Sequence, residues 1–250
     1  MALTPKLLSG QTTSSSFASG EKLVKVDGSG NVTLITPANA RDSMLGGIPV
    51  DGIEDGIFIM YHRASDSYPL MVKPHKWTSL QSGGEVADGV AIVEGGKILI
   101  VAPTECDSSG LLWSSAAVSG GGTTTSDRVT AYSDWAGKAN TTAQITHAEC
   151  QGASYAPGFC AQYSHGGLAA GKWWLPSLGE MFMIYANMTK INYALSLITG
   201  ATPLSETWYW TSTEYSSTIA WYLYLGSGRM YIDAKASDRD RVRAVSAFIG

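Results

Sequence analysis

One stretch of this chain carries a full set of helix signals, and it limits the fold more than any other. In LPSLGEMFMIYANM, Ser177 stands where an N-cap belongs and Glu180 follows three residues later, while Leu178, Met181, Tyr185 and Met188 recur at helical spacing. A capping box ahead of an apolar stripe predicts a helix from Leu178, running on with breaks through KINYALSLITG to a stop at Gly200. Weaker helical character lies around Asp127 to Lys138 and Ala153 to Tyr163, the second interrupted early by Pro157-Gly158.

Elsewhere glycine cuts the sequence into short apolar runs. GVAIVEGGKILIVAP sets Gly95-Gly96 between two β-branched runs, the signal of a two-residue hairpin. GIEDGIFIMYHRASDSYPLMVKPHKWTSL has two apolar runs around a polar turn and reads as another strand pair, with Gly83-Gly84 as a joint. After Pro203 the chain turns to strand again in TWYWTST, AWYLYLGSGRMYI and RVRAVSAF. One strong helix among hairpins predicts an α+β fold. The expected division is residues 1–50 as an N-terminal attachment or oligomerisation segment, 51–84 as a small β-rich connector and 85–250 as the main domain. Within the first, Leu23 to Val26 and Val32 to Ile35 read as a hairpin around Asp27-Gly28-Ser29-Gly30, with too little apolar surface to fold alone.

Charge and cysteine usage exclude several classes. Charged residues make up 15% of the chain and the formal net charge is -4, which leaves no broad basic surface for nucleic acid. No basic n-region with an apolar h-region opens the sequence, and no run approaches the roughly 20 apolar residues that span a bilayer, so neither export nor membrane insertion is expected. Three cysteines cannot form a disulfide framework.

Candidate chemistry is sparse. His147, Cys150, Cys160 and His165 could form a four-ligand zinc set, but nine residues between the cysteines is not finger or ribbon spacing, and buried thiols or one local disulfide is the expectation. His62 and His75 read as isolated and exposed. The Gly-rich SGGGTTTSD (Ser119 to Asp127) lacks the Gly-Lys-Ser/Thr ending of a P-loop and reads as a flexible loop. Asp233, Asp238 and Asp240 alternate with Arg239, Arg241 and Arg243, which suggests surface ion pairs over calcium ligands. No histidine or cysteine follows His165 and no Gly-x-Ser-x-Gly elbow occurs, which argues for binding and against covalent catalysis. No catalytic residue, metal or cofactor is predicted.

What the C-terminal part has instead is aromatic residues. In AWYLYLGSGRMYI, strand alternation places Trp221, Leu223 and Leu225 on a core face and Tyr222 and Tyr224 on the other. Across the turn, Arg229, Met230, Tyr231 and Ile232 add a mixed set of neighbours, of the Tyr-, Arg- and Ser-rich kind found in paratopes.

The span from about Asp88 to Phe248, through DGVAIVEGGKILIVA, WAGKANT, WWLPSLGEM, YWTSTEYSS and RVRAVSAF, resembles C-type-lectin-fold domains of the formylglycine-generating-enzyme group. Within that group it is most similar to the variable proteins of diversity-generating retroelements. The resemblance implies a C-type-lectin fold for 85–250 and a rewritten, ligand-binding segment at Trp210 to Arg241 ahead of an invariable end. Carried over by position, its surface residues are Tyr215, Ser217, Ile219, Tyr222, Tyr224, Ser227, Arg229, Met230, Tyr231, Ile232 and Asp233, on a scaffold of Trp210, Trp221, Leu223 and Leu225. It further implies a homotrimer that recognises host-surface protein or glycan. The loose likeness of VDGSGNVTLITPANARDSMLGGI to tail-fibre attachment segments implies a phage tail location, with residues 1–50 joined to other tail proteins. A bacterial surface adhesin or lectin with a fixed ligand is the alternative. Formylglycine-generating oxidation would need a C-terminal cysteine pair, and no cysteine follows Cys160. The Glu-Pro-Asn and Trp-Asn-Asp calcium motifs of sugar-binding lectins are also missing from the sequence.

Overall fold

The computed structural model describes residues 54–247 and the backbone of Leu23–Val26 and Val32–Ile35. The chain forms two units, Met1–Ile48 and Pro49–Gly250. In the first, β1 (Leu23–Val26) and β2 (Val32–Ile35) pair antiparallel from Leu23↔Ile35 to Val26↔Val32. The turn expected at Asp27 to Gly30, and the rest of the 1–50 segment, lie outside the described residues.

The second unit is α+β. In chain order it contains β3 (Gly56–His62), β4 (Pro69–Val72), α1 (Trp77–Ser82), β5 (Ala87–Glu94) and β6 (Lys97–Val101). Four short helices follow, α2 (Arg128–Tyr132), α3 (Gly137–Gln144), α4 (Ala148–Gln151) and α5 (Ala156–Gln162), then the long α6 (Leu178–Ser196). The chain ends in β7 (Trp208–Glu214), β8 (Ile219–Tyr224), β9 (Arg229–Ala234) and β10 (Val245–Ser246). A five-stranded sheet has the order β10-β6-β5-β3-β4, and a three-stranded sheet the order β7-β8-β9. All of these pairings are antiparallel.

Local signals account for much of this. Glu94 pairs with Lys97, and Gly95 and Gly96 have φ of 57° and 75°, the left-handed pair that a tight hairpin turn of this length needs. At the start of α6, the Ser177 N–H donates to Glu180 Oε2 at 2.8 Å, one half of the capping box. The helix then runs unbroken to Ser196, where breaks were expected, because Ile184, Ile191, Ala194 and Leu195 keep one face buried throughout. Pro157 does not interrupt a helix either. It sits in the first turn of α5, where its missing N–H has no intrahelical acceptor to lose.

Three expectations are overturned by packing. The stretch 51–84 is not a separate connector, since β3 lies between β4 and β5 and bonds to both. Its residues explain why: Ile57, Ile59 and Tyr61 enter one core cluster while Phe58 and Met60 enter another, and a strand apolar on both sides must be covered on both. His62 is not free, because its Nδ1 lies 2.6 Å from Oδ2 of the fully buried Asp88. The Ser119 to Asp127 loop is tied down along its length. The Gly120 N–H donates to Glu214 Oε2 at 2.9 Å, the Thr123 N–H to Asn140 Oδ1 at 2.8 Å, and Trp221 Nε1 to the Thr125 carbonyl at 2.9 Å. Its glycines serve close approach: a Cβ on Gly120 would lie 2.7 Å from Gln144 Cγ, and one on Gly122 2.9 Å from Asn140 Cβ.

The polar centre of this arrangement is an ion pair. Lys235 Nζ lies 2.5 Å from Glu214 Oε2, both side chains are fully buried, and the ammonium also donates to the Val118 carbonyl and lies 4.3 Å from the Trp113 ring centroid. Replacing Lys235 by Met leaves Glu214 as an uncompensated buried charge, so the variant should lose about 3–5 kcal/mol in urea unfolding. Adding Glu214→Gln to Lys235→Met should recover much of that loss.

Candidate ligand-binding face

The register of β8 decides what the C-terminal sheet presents. Tyr222 pairs with Trp210 on one side and Tyr231 on the other; Tyr224 pairs with Trp208 and Arg229; Ala220 pairs with Glu214 and Asp233. Directly opposed residues share a face. One face of this sheet therefore carries Trp208, Trp210, Tyr222, Tyr224, Arg229, Tyr231 and Asp233. The other carries Tyr209, Trp221, Leu223 and Met230, with Ile232 opposite Trp221 and Leu223 opposite Met230.

The second of these faces is core. Tyr209, Trp221, Leu223 and Leu225 are buried with Leu178, Met181 and Ile184 of α6, and Met230 packs against the same cluster. The first face is divided. At its Ala220 and Trp210 end it is closed by a cluster that includes Trp113 and Val118, whereas toward β7's start it opens to solvent. Tyr222 straddles the boundary, half-buried against that cluster.

On the open end four rings touch one another. The Trp208 centroid is 4.1 Å from Tyr224, 5.1 Å from Tyr222 and 5.8 Å from Tyr231, and Tyr222 stacks on Tyr231 at 6.0 Å. Trp208 is 37% exposed and Tyr231 38%, so the set forms an aromatic surface with edges and faces turned to water. The turn beyond holds it in place. A Cβ on Gly226 would lie 2.7 Å from Tyr224 Cζ, and one on Gly228, at φ 68°, would lie 2.5 Å from the Tyr185 ring of α6.

The eleven residues named from the sequence do not form one surface. Tyr222, Tyr224, Arg229, Tyr231 and Asp233 come together on the open face, with Ser227 exposed in the adjoining turn. Met230 and Ile232 point to the opposite side of the sheet, because a strand paired in this register alternates and their neighbours Tyr231 and Asp233 take the open face. Ile219 pairs with Ala234 on that same opposite side, and the Tyr215 ring lies 5.4 Å from Trp221, also away from the open face. Ser217 is exposed in the β7–β8 turn, and its carbonyl accepts from the Val118 N–H. Trp208 was missed. Only the β7–β8 register reveals it, since TWYWTST does not say which of its aromatic residues is uncovered.

An acidic group borders the aromatic one. Asp233 lies beside Tyr231 and across from Ala220; Asp238 Oδ2 accepts from the Ala234 N–H at 3.0 Å; Asp240 is 7% exposed, and its buried Oδ2 has no hydrogen-bond partner. The expected ion pairs with the neighbouring arginines are not made. Arg241 and Arg243 turn to Glu105 at 2.9 and 2.8 Å, and Arg239 donates to the Gly110 carbonyl. Burial, followed by the nearby Asp233 and Asp238 charges, pushes Asp240 up to about 7. Burial and Asp238 raise Asp233 to about 6, and burial with Asp233 raises the Tyr222 hydroxyl to about 12.

The remaining candidates stay apart from this face. Cys106, Cys150 and Cys160 are all buried free thiols, with Cys106 pushed up by burial to about 11 and Cys150 to about 12. His165 Nδ1 lies 2.9 Å from the Ala87 carbonyl. Among the described residues no group of three or more His, Cys, Asp or Glu side chains is arranged to hold a metal ion. No helix there is long and apolar enough to cross a membrane. Comparison with known protein families, characterised proteins and solved structures finds no match.

The raised Asp240 carboxyl makes a signed prediction. Its folded-state value of about 7 exceeds the unfolded value near 3.9, so the folded protein holds this proton more tightly and loses stability as pH rises between the two. Asp240→Asn should therefore raise Tm by about 2–4 °C at pH 8, an effect of about 1 kcal/mol that shrinks toward pH 5. Thermal melts of both proteins across that range measure it.

Proposed function

We propose that this chain is a non-enzymatic receptor-binding protein whose α+β domain has the C-type-lectin fold and uses the open face of β7-β8-β9 to bind its ligand. In this reading it is a variable protein of the diversity-generating-retroelement kind, carried as a homotrimer on a phage tail, attached through residues 1–50 and directed at host-surface protein or glycan. The observation that carries it is the contact set of Trp208, Tyr222, Tyr224 and Tyr231, four rings on the outside of a sheet whose other side is core. Large rigid rings with polar rims give contact area at low entropy cost, which is what a recognition surface needs. Modest single-site affinity would be raised by several copies acting together.

The scaffold supports the same reading. Arg243, within the expected invariable end, is fully buried and donates to the Ala102 carbonyl, Glu105 and the Thr202 carbonyl, so RVRAV has a structural reason to stay constant. The displayed set narrows to Trp208, Tyr222, Tyr224, Ser227, Arg229, Tyr231 and Asp233, because these share the open face or its turn. Buried thiols with raised pKa are poor nucleophiles, which speaks against a thiol-dependent oxidase.

Substituting Tyr222, Tyr224 and Tyr231 together by Ala should abolish capture of host-surface proteins or glycans on arrays. Stability should fall by less than about 3 kcal/mol, since Tyr231 is exposed, Tyr222 and Tyr224 are only half-buried, and of the three only Tyr222 packs against the second core cluster. Collapse of the fold would make them core and end the proposal. Diversification is tested on the encoding DNA: a near-copy of the 3′ coding end, differing at adenines and lying beside a reverse transcriptase gene, is expected. A complete source genome without such a copy removes that part.

A further inference from the structure

The open face meets its acidic border at an unfilled acceptor. Asp240 is more than nine-tenths buried, yet its Oδ2 has no donor within reach. Its position is fixed by the main chain: the Leu111 N–H donates to the Asp240 carbonyl at 2.9 Å, and the Trp210 N–H to the carbonyl of the next residue, Arg241, at 3.0 Å. Trp210 stands under Tyr222, with ring centroids 6.1 Å apart. The carboxyl therefore sits at the foot of the aromatic surface, beside Tyr222, with Asp233 on β9 and Asp238 in the following turn. We propose that this corner receives a primary ammonium group, the end of a lysine side chain on a partner protein, whose four-carbon stem lies across Tyr222 and Tyr231. The proposal rests on reading the open face as the ligand surface.

Charge complementarity selects the ligand. Three carboxyl groups surround the corner, and among the described residues none of them forms an ion pair. The cations near them in sequence are committed elsewhere: Lys235 to Glu214, Arg241 and Arg243 to Glu105, and Arg239 to the Gly110 carbonyl. Arg229 lies opposite Tyr224, at the far end of the face. The facing titratable groups are Asp233, Asp238, Tyr222 and Tyr231, none of them cationic, and burial first, then the neighbouring carboxylates, holds Asp233 and Asp240 above the ordinary carboxylate range. Aromatic faces attract cations through their quadrupoles, so the rings and the carboxyls favour the same sign.

The donor geometry narrows it further. A quaternary ammonium has no N–H for Asp240 Oδ2. A guanidinium is best matched by both oxygens of one carboxylate approached in its plane, and Asp240, more than nine-tenths buried, leaves little edge for that wide fork, while Asp238 Oδ2 is held by the Ala234 N–H. A lysine ammonium can direct one of its three donors at a single acceptor and rest its apolar stem on the rings.

Titration calorimetry of the full-length protein with Nα-acetyl-lysine methylamide tests this. Expected is binding in the millimolar range at pH 8, weakened about tenfold in Asp240→Asn, weakened at pH 5 as Asp233 and Asp240 take up protons, and lost with the Nε-acetylated probe. The arginine and choline analogues should bind less tightly than the lysine probe. Equal binding of the Nε-acetylated probe, unchanged affinity in Asp240→Asn, or no heat up to about 50 mM lysine probe each overturns the proposal. The face itself is checked separately by the Tyr222, Tyr224 and Tyr231 alanine variant. If that variant loses array ligands while Asp240→Asn keeps them, the ligand face stands and the ammonium corner falls.

Discussion

Glu214 and Lys235 bring together three parts of the chain that sequence separates widely. The carboxylate ends β7, the ammonium follows β9, and around them lie the Gly120 N–H, the Val118 carbonyl and the Trp113 ring. Removing two charges from water costs several kcal/mol per ion, so such a pair persists only where its geometry is good; Glu214 Oε2 accepts from both Lys235 and the Gly120 N–H, while Oε1 is buried without a partner among the described residues. That requirement explains the glycines around 120, which let backbone come within hydrogen-bond distance of a carboxylate. It also fixes where the outer side of the C-terminal sheet is closed. Lys235, Trp113 and Val118 cover the Ala220 end, and beyond their reach the same side is left to Tyr222, Tyr224 and Tyr231.

The distribution of charge follows a second rule. The arginines of RDRVR do not pair with the aspartates beside them, because Glu105 offers a nearly buried acceptor for two guanidinium groups at once. Arg243 also satisfies three carbonyls at the Ala102 and Thr202–Pro203 segments, so it joins β6, the turn after α6 and the C-terminus. This arrangement stabilises the scaffold and leaves Asp233, Asp238 and Asp240 near one another with no countercharge among the described residues. Local violations of charge pairing are expected at functional or strained sites, which accords with the ligand role proposed for this face.

Signals confined to a few residues were readable in the sequence. The capping box at Ser177 and Glu180, the Gly95-Gly96 turn and the inward Trp221, Leu223 and Leu225 each depend on neighbours within one element. What required a partner strand was not readable. In RMYIDA there is no polar and apolar alternation to show which side faces outward, and a one-residue change of register would exchange Tyr231 with Met230 and Ile232. The exposure of Trp208, the membership of β3 in the main sheet and the packing of the Ser119 to Asp127 loop are facts of the same kind. Each is decided by atoms far along the chain.

The two ends of the open face differ in how freely their residues can change. Ser227, Arg229 and Tyr231 are exposed, and Tyr231 touches only the surface rings of Trp208 and Tyr222, so replacements there act on few core neighbours and their effects stay local. Tyr222 is bound to Trp210 and to the second core cluster, and Tyr224 folds over Gly226, whose turn rests on Tyr185 of α6. A surface that must be altered without unfolding its carrier would vary most where contacts are fewest and keep its shape where they are shared with the core. In this sheet that gradient runs from the β8–β9 turn and outer strand β9 inward to Trp210, the order in which burial increases.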